Sequence, residues 1–370
     1  MIAYLCITPT AITRAWVFRI RCPANNQYHG SALKAPLIQI KKSAVPALSL
    51  RTYGRHRHAT MNSAVDLSTY VDRVAPLRKL RCRGLLREPG GGGINVARVV
   101  RRMGTKVTAV YTAGGTIGRL LRQLVERENI ESIEVQVAAE TREDFTVHED
   151  ASGQEYRFIL AGPQISDLEW HACLDTLASL EPFPRYLVAS GSLPPGVPDD
   201  FYARVARLAR DRRAMLALDT SGQPLKEALA EGVFLIKPNL NELCGLIGTR
   251  VDGAEGSVQV CRHIVEQGQA EVVALTLGDQ GALLATGGKV WRAPALPIKP
   301  ISAVGAGDSF LGGMVWSLAA GHRLDKAFSY GMAAGTAALL SPGTGLCRPD
   351  DVGRLYGAVT LQEIKFGRST

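Results

Sequence analysis

The residues best suited to chemistry lie in Val304-Gly305-Ala306-Gly307-Asp308-Ser309-Phe310. Phe310, Met314 and Leu318 recur at helical spacing, with Leu311 and Val315 beside them, so a glycine turn opens a helix here. Gly305, Ala306 and Gly307 then let backbone N–H groups converge at a helix N-terminus, where unpaired donors and the positive dipole end bind phosphate oxygens. A carboxylate at Asp308 stands at that anion site. It can accept the proton of an attacking hydroxyl while the main-chain donors stabilise charge on a transferring phosphoryl group. The bland alternative is an N-cap aspartate after a tight turn. A dinucleotide fingerprint fits less well, because its third glycine falls where Phe310 stands, and the lysine of a Walker A loop is missing.

A second signal is Glu88-Pro89-Gly90-Gly91-Gly92-Gly93-Ile94-Asn95-Val96-Ala97-Arg98. Four glycines run directly into a helix start, which suits a backbone surface pressed against a ligand better than a flexible linker. Asn95 is then placed to hold a sugar hydroxyl.

Elements must position these groups. From about Lys106 the chain alternates β-rich runs with amphipathic stretches, the pattern of a mostly parallel sheet covered by helices. Val107–Tyr111, Tyr186–Ala189, Met215–Leu218, Val233–Ile236 and Val272–Leu277 read as buried strands. Phe201, Val205 and Leu208 mark a covering helix that opens after Pro198, Asp199 and Asp200. Phe145–Glu149 and Tyr156–Leu160, parted by a turn at Ser152 and Gly153, read as a hairpin outside the series. With an extended segment around Leu80–Arg87, the hairpin is expected to form a small sheet over the site, giving lid segments at about 78–88 and 143–161.

The net charge of +9 resembles a nucleic-acid signal until it is located. Residues 1–65 hold nine Lys or Arg and no Asp or Glu, and the remaining 34 basic residues balance all 34 acidic ones. A balanced body does not supply a basic groove, so no nucleic-acid partner is expected. Residues 1–58 form a basic, acid-poor leader, read as a disordered extension or the product of an upstream start, with transit-peptide character as the other reading. The seven cysteines are scattered and include no CxxC pair, which argues against a disulfide framework and suits a reducing, cytoplasmic setting. No apolar run approaches the roughly 20 residues a membrane-spanning helix needs, so no membrane association is expected.

Gly90–Arg98, Ser190-Gly191-Ser192-Leu193-Pro194-Pro195-Gly196, Lys237-Pro238-Asn239-Leu240-Asn241-Glu242-Leu243 and Val304–Phe310 occur in the order and spacing of the ribokinase-like, phosphofructokinase B family of carbohydrate kinases, which the chain resembles from about residue 59 to its end. Within the family, the glycine run, Lys79-Leu80-Arg81-Cys82 and Pro342-Gly343-Thr344-Gly345-Leu346-Cys347 look most like the 6-phosphofructokinase branch. The 1-phosphofructokinase and tagatose-6-phosphate kinase branches are close to it.

The resemblance implies a three-layer αβα domain over 59–370, with a mostly parallel central sheet and a small β-sheet lid, ATP and Mg²⁺, and a homodimer through the lid sheets. It implies Asp308 as catalytic base, with Gly305, Ala306 and Gly307 as the anion hole. Asn239 and Glu242 match a motif that organises Mg²⁺ and phosphate, Glu242 acting on the metal through water. Lys237, Thr276, Gly278 and Gly281 would lie along the ATP phosphates and ribose. Asp66, Gly91, Gly92 and Asn95 match sugar contacts, and Lys79, Arg142 and Ser192 match positions near the sugar's phosphate. Arg142 offers a planar fork and Lys79 a point charge to a dianion, although a lone surface cation is ordinarily just solvated. The bland reading of Asp66 is a turn residue after Ser63 and Ala64.

Three departures bear on the reading. Gly92 stands where the 1-phosphofructokinase branch usually carries lysine, which favours a 6-phosphate substrate. Asn241 stands where close relatives often carry lysine. The run before Met61 is Tyr53-Gly54-Arg55-His56-Arg57-His58 where an apolar strand is expected, so the first strand is expected to pack badly or be displaced, loosening Asp66. Three readings follow: a 6-phosphofructokinase, a kinase of tagatose 6-phosphate or fructose 1-phosphate, and a non-catalytic sugar-phosphate-binding protein.

Overall fold

The computed structural model describes residues 56–343 and 345–365. Of the leader read over residues 1–58, residues 1–55 lie outside the described residues, and so does Thr344. Fourteen strands are described: β1 (His56–Thr60), β2 (Ala64–Val71), β3 (Arg83–Gly90), β4 (Val107–Ala113), β5 (Glu131–Gln136), β6 (Arg142–Glu149), β7 (Glu155–Phe158), β8 (Tyr186–Ser190), β9 (Met215–Asp219), β10 (Val233–Ile236), β11 (Ala270–Thr276), β12 (Ala282–Thr286), β13 (Val290–Ala293) and β14 (Gln362–Ile364). Ten form one sheet in the order β14-β13-β12-β11-β10-β9-β8-β1-β4-β5. It is parallel from β11 to β5 and antiparallel from β11 to β14.

Strand alternation sends successive side chains to opposite helical layers. Leu187, Ala189, Leu216 and Leu218 pack with Trp170, Phe201, Val205, Leu225 and Ile264, from helices α3 (Asp167–Ala178), α4 (Phe201–Asp211), α5 (Gly222–Glu231) and α7 (Gly253–Glu266). Tyr186, Val188, Ala217 and Leu235 face Val96, Phe310, Met314 and Phe328, from α1 (Gly92–Arg102), α8 (Ala306–Ala319) and α9 (Leu324–Ala338). α2 (Gly115–Arg127) covers β4 through Leu121 and Val125. α6 (Leu240–Ile247) follows β10 directly.

The second sheet runs β3-β2-β6-β7, with β2 parallel to β6 and antiparallel to β3. It contains the expected hairpin, as β6 and β7 in antiparallel register, and the early extended segment, as β3. β2 was not foreseen there. Asp66 is therefore a strand residue, opposite Glu88 on β3 and Asp144 on β6, and not a turn residue.

The expectation of a displaced first strand is corrected. β1 begins at His56, inside the span read as leader, and is central, paired in parallel with both β4 and β8. His56 and His58 are fully buried, with no hydrogen-bond partner on either ring nitrogen among the described residues. Burial pushes the His56 imidazole down to about 4, and burial with the neighbouring His56 pushes His58 well below its ordinary value. Both rings stay neutral, so neither imidazole buries a charge, and His56 stacks on Tyr186 of β8.

Candidate active site

Parallel strands deliver their carboxyl ends to one edge of the sheet, where ligands of open α/β sheets bind. That edge here carries Ser190 at the end of β8, Asp219 at the end of β9 and Lys237 just after β10. α8 opens beside them. Its N-cap Gly305 has φ 73°, a left-handed conformation that glycine adopts without strain, and Leu346 packs against its α-carbon. Asp308 lies in the first helical turn, and its Oδ2 accepts from Asn95 Nδ2 at 3.0 Å. Lys237 is buried, with Nζ 3.2 Å from Asp219 Oδ1, and Gly307 passes so close that an added Cβ would lie 3.2 Å from that Nζ.

The electrostatics of the cluster are mutually dependent. Burial and then Asp219 push the Asp308 carboxyl up to about 6, against the Asn95 hydrogen bond and the charges of Lys237 and Arg157. Burial by itself pushes the Lys237 ammonium down, but Asp219, Asp308 and Glu242 outweigh it and raise its pKa. Lys237 is a fixed cation among three carboxylates. A carboxyl poised near neutrality is what a general base needs.

The small sheet closes the other side. Asp66, Gly91, Gly92, Asn95, Arg142, Ser192, Glu242, Gly305 and Asp308 line one cavity of about 300 Å³, together with Asp144, Arg157, Ser190 and Asp219. An added Cβ on Gly90 would collide with the Asp66 carboxylate, and one on Gly92 with Ser190 Oγ, so the glycine run is the cavity wall itself. Burial and then Asp144 push Asp66 up to about 7, against Arg98 and Arg142. Arg142 spans the rim, donating from Nη1 to Leu160 O (2.6 Å) and from Nη2 to Asn62 O (3.1 Å), with Asp144 Oδ2 at 3.3 Å. Its Nε is buried without a partner among the described residues.

Asn239 and Glu242 form a capping box at the start of α6: Asn239 Oδ1 accepts from Glu242 N (2.9 Å), and Asn239 N donates to Glu242 Oε2 (2.8 Å). An isolated bridge ties Asn239 to Thr276 at the end of β11. Gly278 and Gly281 turn the chain from β11 into β12. Thr276, Gly278 and Gly281 are therefore not in the first cavity. They adjoin a second of about 750 Å³, lined by Leu240, Asn241, Cys244, Gly248, Leu277 and Gln280 among others. Lys79 is not brought to either cavity; it is exposed in the segment between β2 and β3.

Sequence reasoning missed Asp219, Asp144 and Arg157. Asp219 had a usable signal, a carboxylate immediately after the apolar run Met215–Leu218, where a parallel strand meets its ligand edge. Asp144 and Arg157 sit on the small sheet, and only its register brings them to the cavity.

Comparisons with known proteins fit this geometry. The family described as pfkB family carbohydrate kinase matches residues 59–351. The chain is 42% identical to the ATP-dependent 6-phosphofructokinase isozyme 2 of Mycobacterium tuberculosis over 80% of this chain and 87% of that protein. It is 37% identical to the Escherichia coli protein of the same name over 80% of this chain and 96% of that one. The crystal structure of phosphofructokinase-2 from Escherichia coli in complex with substrates and products superposes with TM-score 0.79 at 36% identity, covering 82% of this chain and 99% of that one.

Proposed function

The chain belongs to the pfkB family of carbohydrate kinases, and from that premise we propose that it acts as an ATP-dependent 6-phosphofructokinase, transferring the γ-phosphoryl group to the C1 hydroxyl of fructose 6-phosphate. The observation that carries the reading is the Asp308 carboxylate in the first turn of α8, open to the same cavity as Asp66, Asn95 and Arg142.

Asp308 takes the hydroxyl proton as the oxygen attacks in line, and the Gly305-Ala306-Gly307 backbone receives charge on the transferring group. Lys237, kept charged by its carboxylate neighbours, neutralises charge between the phosphates. Asp66, Asn95 and the Gly91-Gly92 backbone hold the sugar hydroxyls, and Arg142 and Ser192 meet the sugar's phosphate. Arg157, in the same cavity, takes the part expected of Lys79. Gly92 leaves its wall without a side-chain cation, which supports a 6-phosphate over a 1-phosphate substrate. ATP lies along the second cavity, with Asn239, Thr276, Gly278 and Gly281 under its phosphates and ribose.

Magnesium fits the donor set. Glu242 and Asp219 face the cavity with no closed cage of protein ligands among the described residues, as suits an ion that keeps its water and binds substrate phosphates. When bound, it would neutralise charge on the phosphoryl oxygens. Leu85, Leu86, Phe145 and Phe158 leave apolar surface exposed on the small sheet, which supports a homodimer through the lids. The described cysteines are all unpaired, as suits the cytoplasm.

The test is ADP release with MgATP across fructose 6-phosphate, fructose 1-phosphate, tagatose 6-phosphate and unphosphorylated sugars. Fructose 6-phosphate is expected to give the highest kcat/KM. Preference for an unphosphorylated sugar overturns the substrate class, and sugar-phosphate binding without ADP release supports the non-catalytic reading instead.

A further inference from the structure

An asparagine amide has two ends of similar shape and opposite chemistry, and only Nδ2 can donate to a carboxylate. Which end of Asn95 faces Asp308 is decided one helical turn away. Arg98 is buried, with 1% of its side chain exposed. Its Nη1 donates to Asn95 Oδ1 at 3.2 Å and to Pro89 O at 3.1 Å, its Nη2 to Glu88 Oε1 at 2.7 Å, and its Nε to Glu128 Oε1 at 2.9 Å. Flipping the Asn95 amide would turn Oδ1 onto the Asp308 carboxylate and Nδ2 onto the guanidinium donors. Both ends oppose the flip.

We infer that Arg98 is a positioning residue for phosphoryl transfer: its guanidinium locks the Asn95 amide in the orientation that donates to Asp308, and anchors that lock to lid strand β3. Glu88 and Pro89 belong to β3, and Glu88 sits opposite Asp66 in the strand register. One rigid fork therefore ties the lid strand, at the residue opposite the sugar-side carboxylate, to the amide beside the base. Glu128, just past the end of α2, holds the fork from behind. A guanidinium suits this position because its donors are fixed in one plane; an ammonium cannot reach all four acceptors in register. The competing account is a buried ion pair that merely joins α1, α2 and β3.

The two accounts differ in what the base feels. Asp308 is faced by Asn95 from α1, Asp219 from β9, Lys237 after β10, Arg157 from β7 and Asp66 from β2, with Glu242 of α6 in the same cavity. Among these, Asn95 donates the hydrogen bond that favours the ionised form. Losing its orientation must raise the pH at which Asp308 becomes a base.

The inference rests on the kinase reading above, and the experiment separates the two. The pH profile of kcat/KM for fructose 6-phosphate is measured for the parent protein, Arg98→Lys, Asn95→Ala and the double variant. Lysine keeps the charge near Asp66, and the substrate's own ionisation is common to all four. The acid limb of Arg98→Lys is expected to move up by roughly half to one pH unit, because the Asn95 bond is misoriented rather than removed and its full loss is worth roughly one to two units. That is about a three- to eightfold loss at pH 5.5 and a near-normal value at pH 8.5. In the Asn95→Ala background the same change should move the limb no further. A parent protein without ADP release sinks the kinase reading. An active parent whose limb stays fixed in Arg98→Lys, or a uniform loss at every pH, overturns the positioning role. Should Arg98→Lys fail to fold, Arg98→Gln/Glu128→Gln removes the buried guanidinium together with the part-buried carboxylate it pairs with and must move the limb in the same direction.

Discussion

Asp308→Asn separates the chemistry of the site from its cost to the fold. The ordinary carboxyl pKa is 3.8, and burial with Asp219 nearby raises Asp308 to about 6. The folded protein therefore holds a proton between those values that the unfolded chain releases, and the parent's stability falls as pH rises through that window. Above pH 6 the full difference is present. At about 1.4 kcal/mol per tenfold, it amounts to about 3 kcal/mol, and partial access of cavity water reduces this to about 1–3 kcal/mol. Asparagine keeps an oxygen for the Asn95 donor at 3.0 Å but carries no charge. Asp308→Asn should thus lower kcat by roughly 10²–10⁴-fold, as loss of a general base does. It should also stabilise the fold by about 1–3 kcal/mol at pH 8 and by almost nothing near pH 4. Urea unfolding at both pH values, with ADP release at saturating substrate, measures the two effects. Retained turnover refutes the base assignment, and a stability gain that does not grow with pH refutes the electrostatic reasoning.

Arg142→Lys should raise KM for the sugar phosphate roughly tenfold or more while leaving KM for MgATP near its parent value, because a point charge replaces a fork; equal changes in both constants would contradict its placement. Lys237→Met leaves Asp219, Asp308 and Glu242 without their cation, so kcat should fall roughly 100-fold, with the acid limb of its pH profile displaced upward. His56 is held neutral down to about pH 4, whereas the unfolded chain takes up a proton below 6.5, so the parent loses stability as pH falls through that range, by about 3 kcal/mol at its lower end. Unfolding midpoints of His56→Leu should be less sensitive to pH between 4 and 6.5, with the buried His58 retaining its own share, and parallel curves would count against a neutral buried His56 ring.

Five strands of the parallel core, β4, β8, β9, β10 and β11, were legible because each is a short apolar run closed by a turn, and β10 falls on the expected residues Val233–Ile236. The helix start at Gly305–Asp308 was legible because glycine spacing and the apolar period of α8 change at one point. β2 was not legible. Its polar residues Asp66, Ser68, Thr69 and Tyr70 find partners only across the small sheet and in the cavity, so no local period announces them as a strand. Asp219 acts on Asp308 directly by its charge and Arg98 through Asn95, and neither residue's local run announces a coupling to a carboxylate so distant in sequence.

β1 is where local preference and fold disagree most, and the site explains which prevails. A strand reading His-Arg-His belongs on propensity at a solvated edge, yet it lies between β4 and β8. Its carboxyl end is committed on every side. An added Cβ on Gly93 would strike Ala59 O and Thr60 Oγ1, so α1 rests directly on the backbone of β1, and that contact aims the Gly91-Gly92 turn and Asn95 into the cavity. Thr112 Oγ1 donates to Met61 O at 2.7 Å, and Ser63 Oγ donates to Thr112 O, fixing the passage from β1 into β2 and hence the reach of Asp66. Moving β1 to the edge would release two imidazoles from burial, but it would detach the wall that holds the sugar from the helix that holds the amide beside the base. The rings instead stay neutral in the core, and the strand keeps the position from which both halves of the cavity are built.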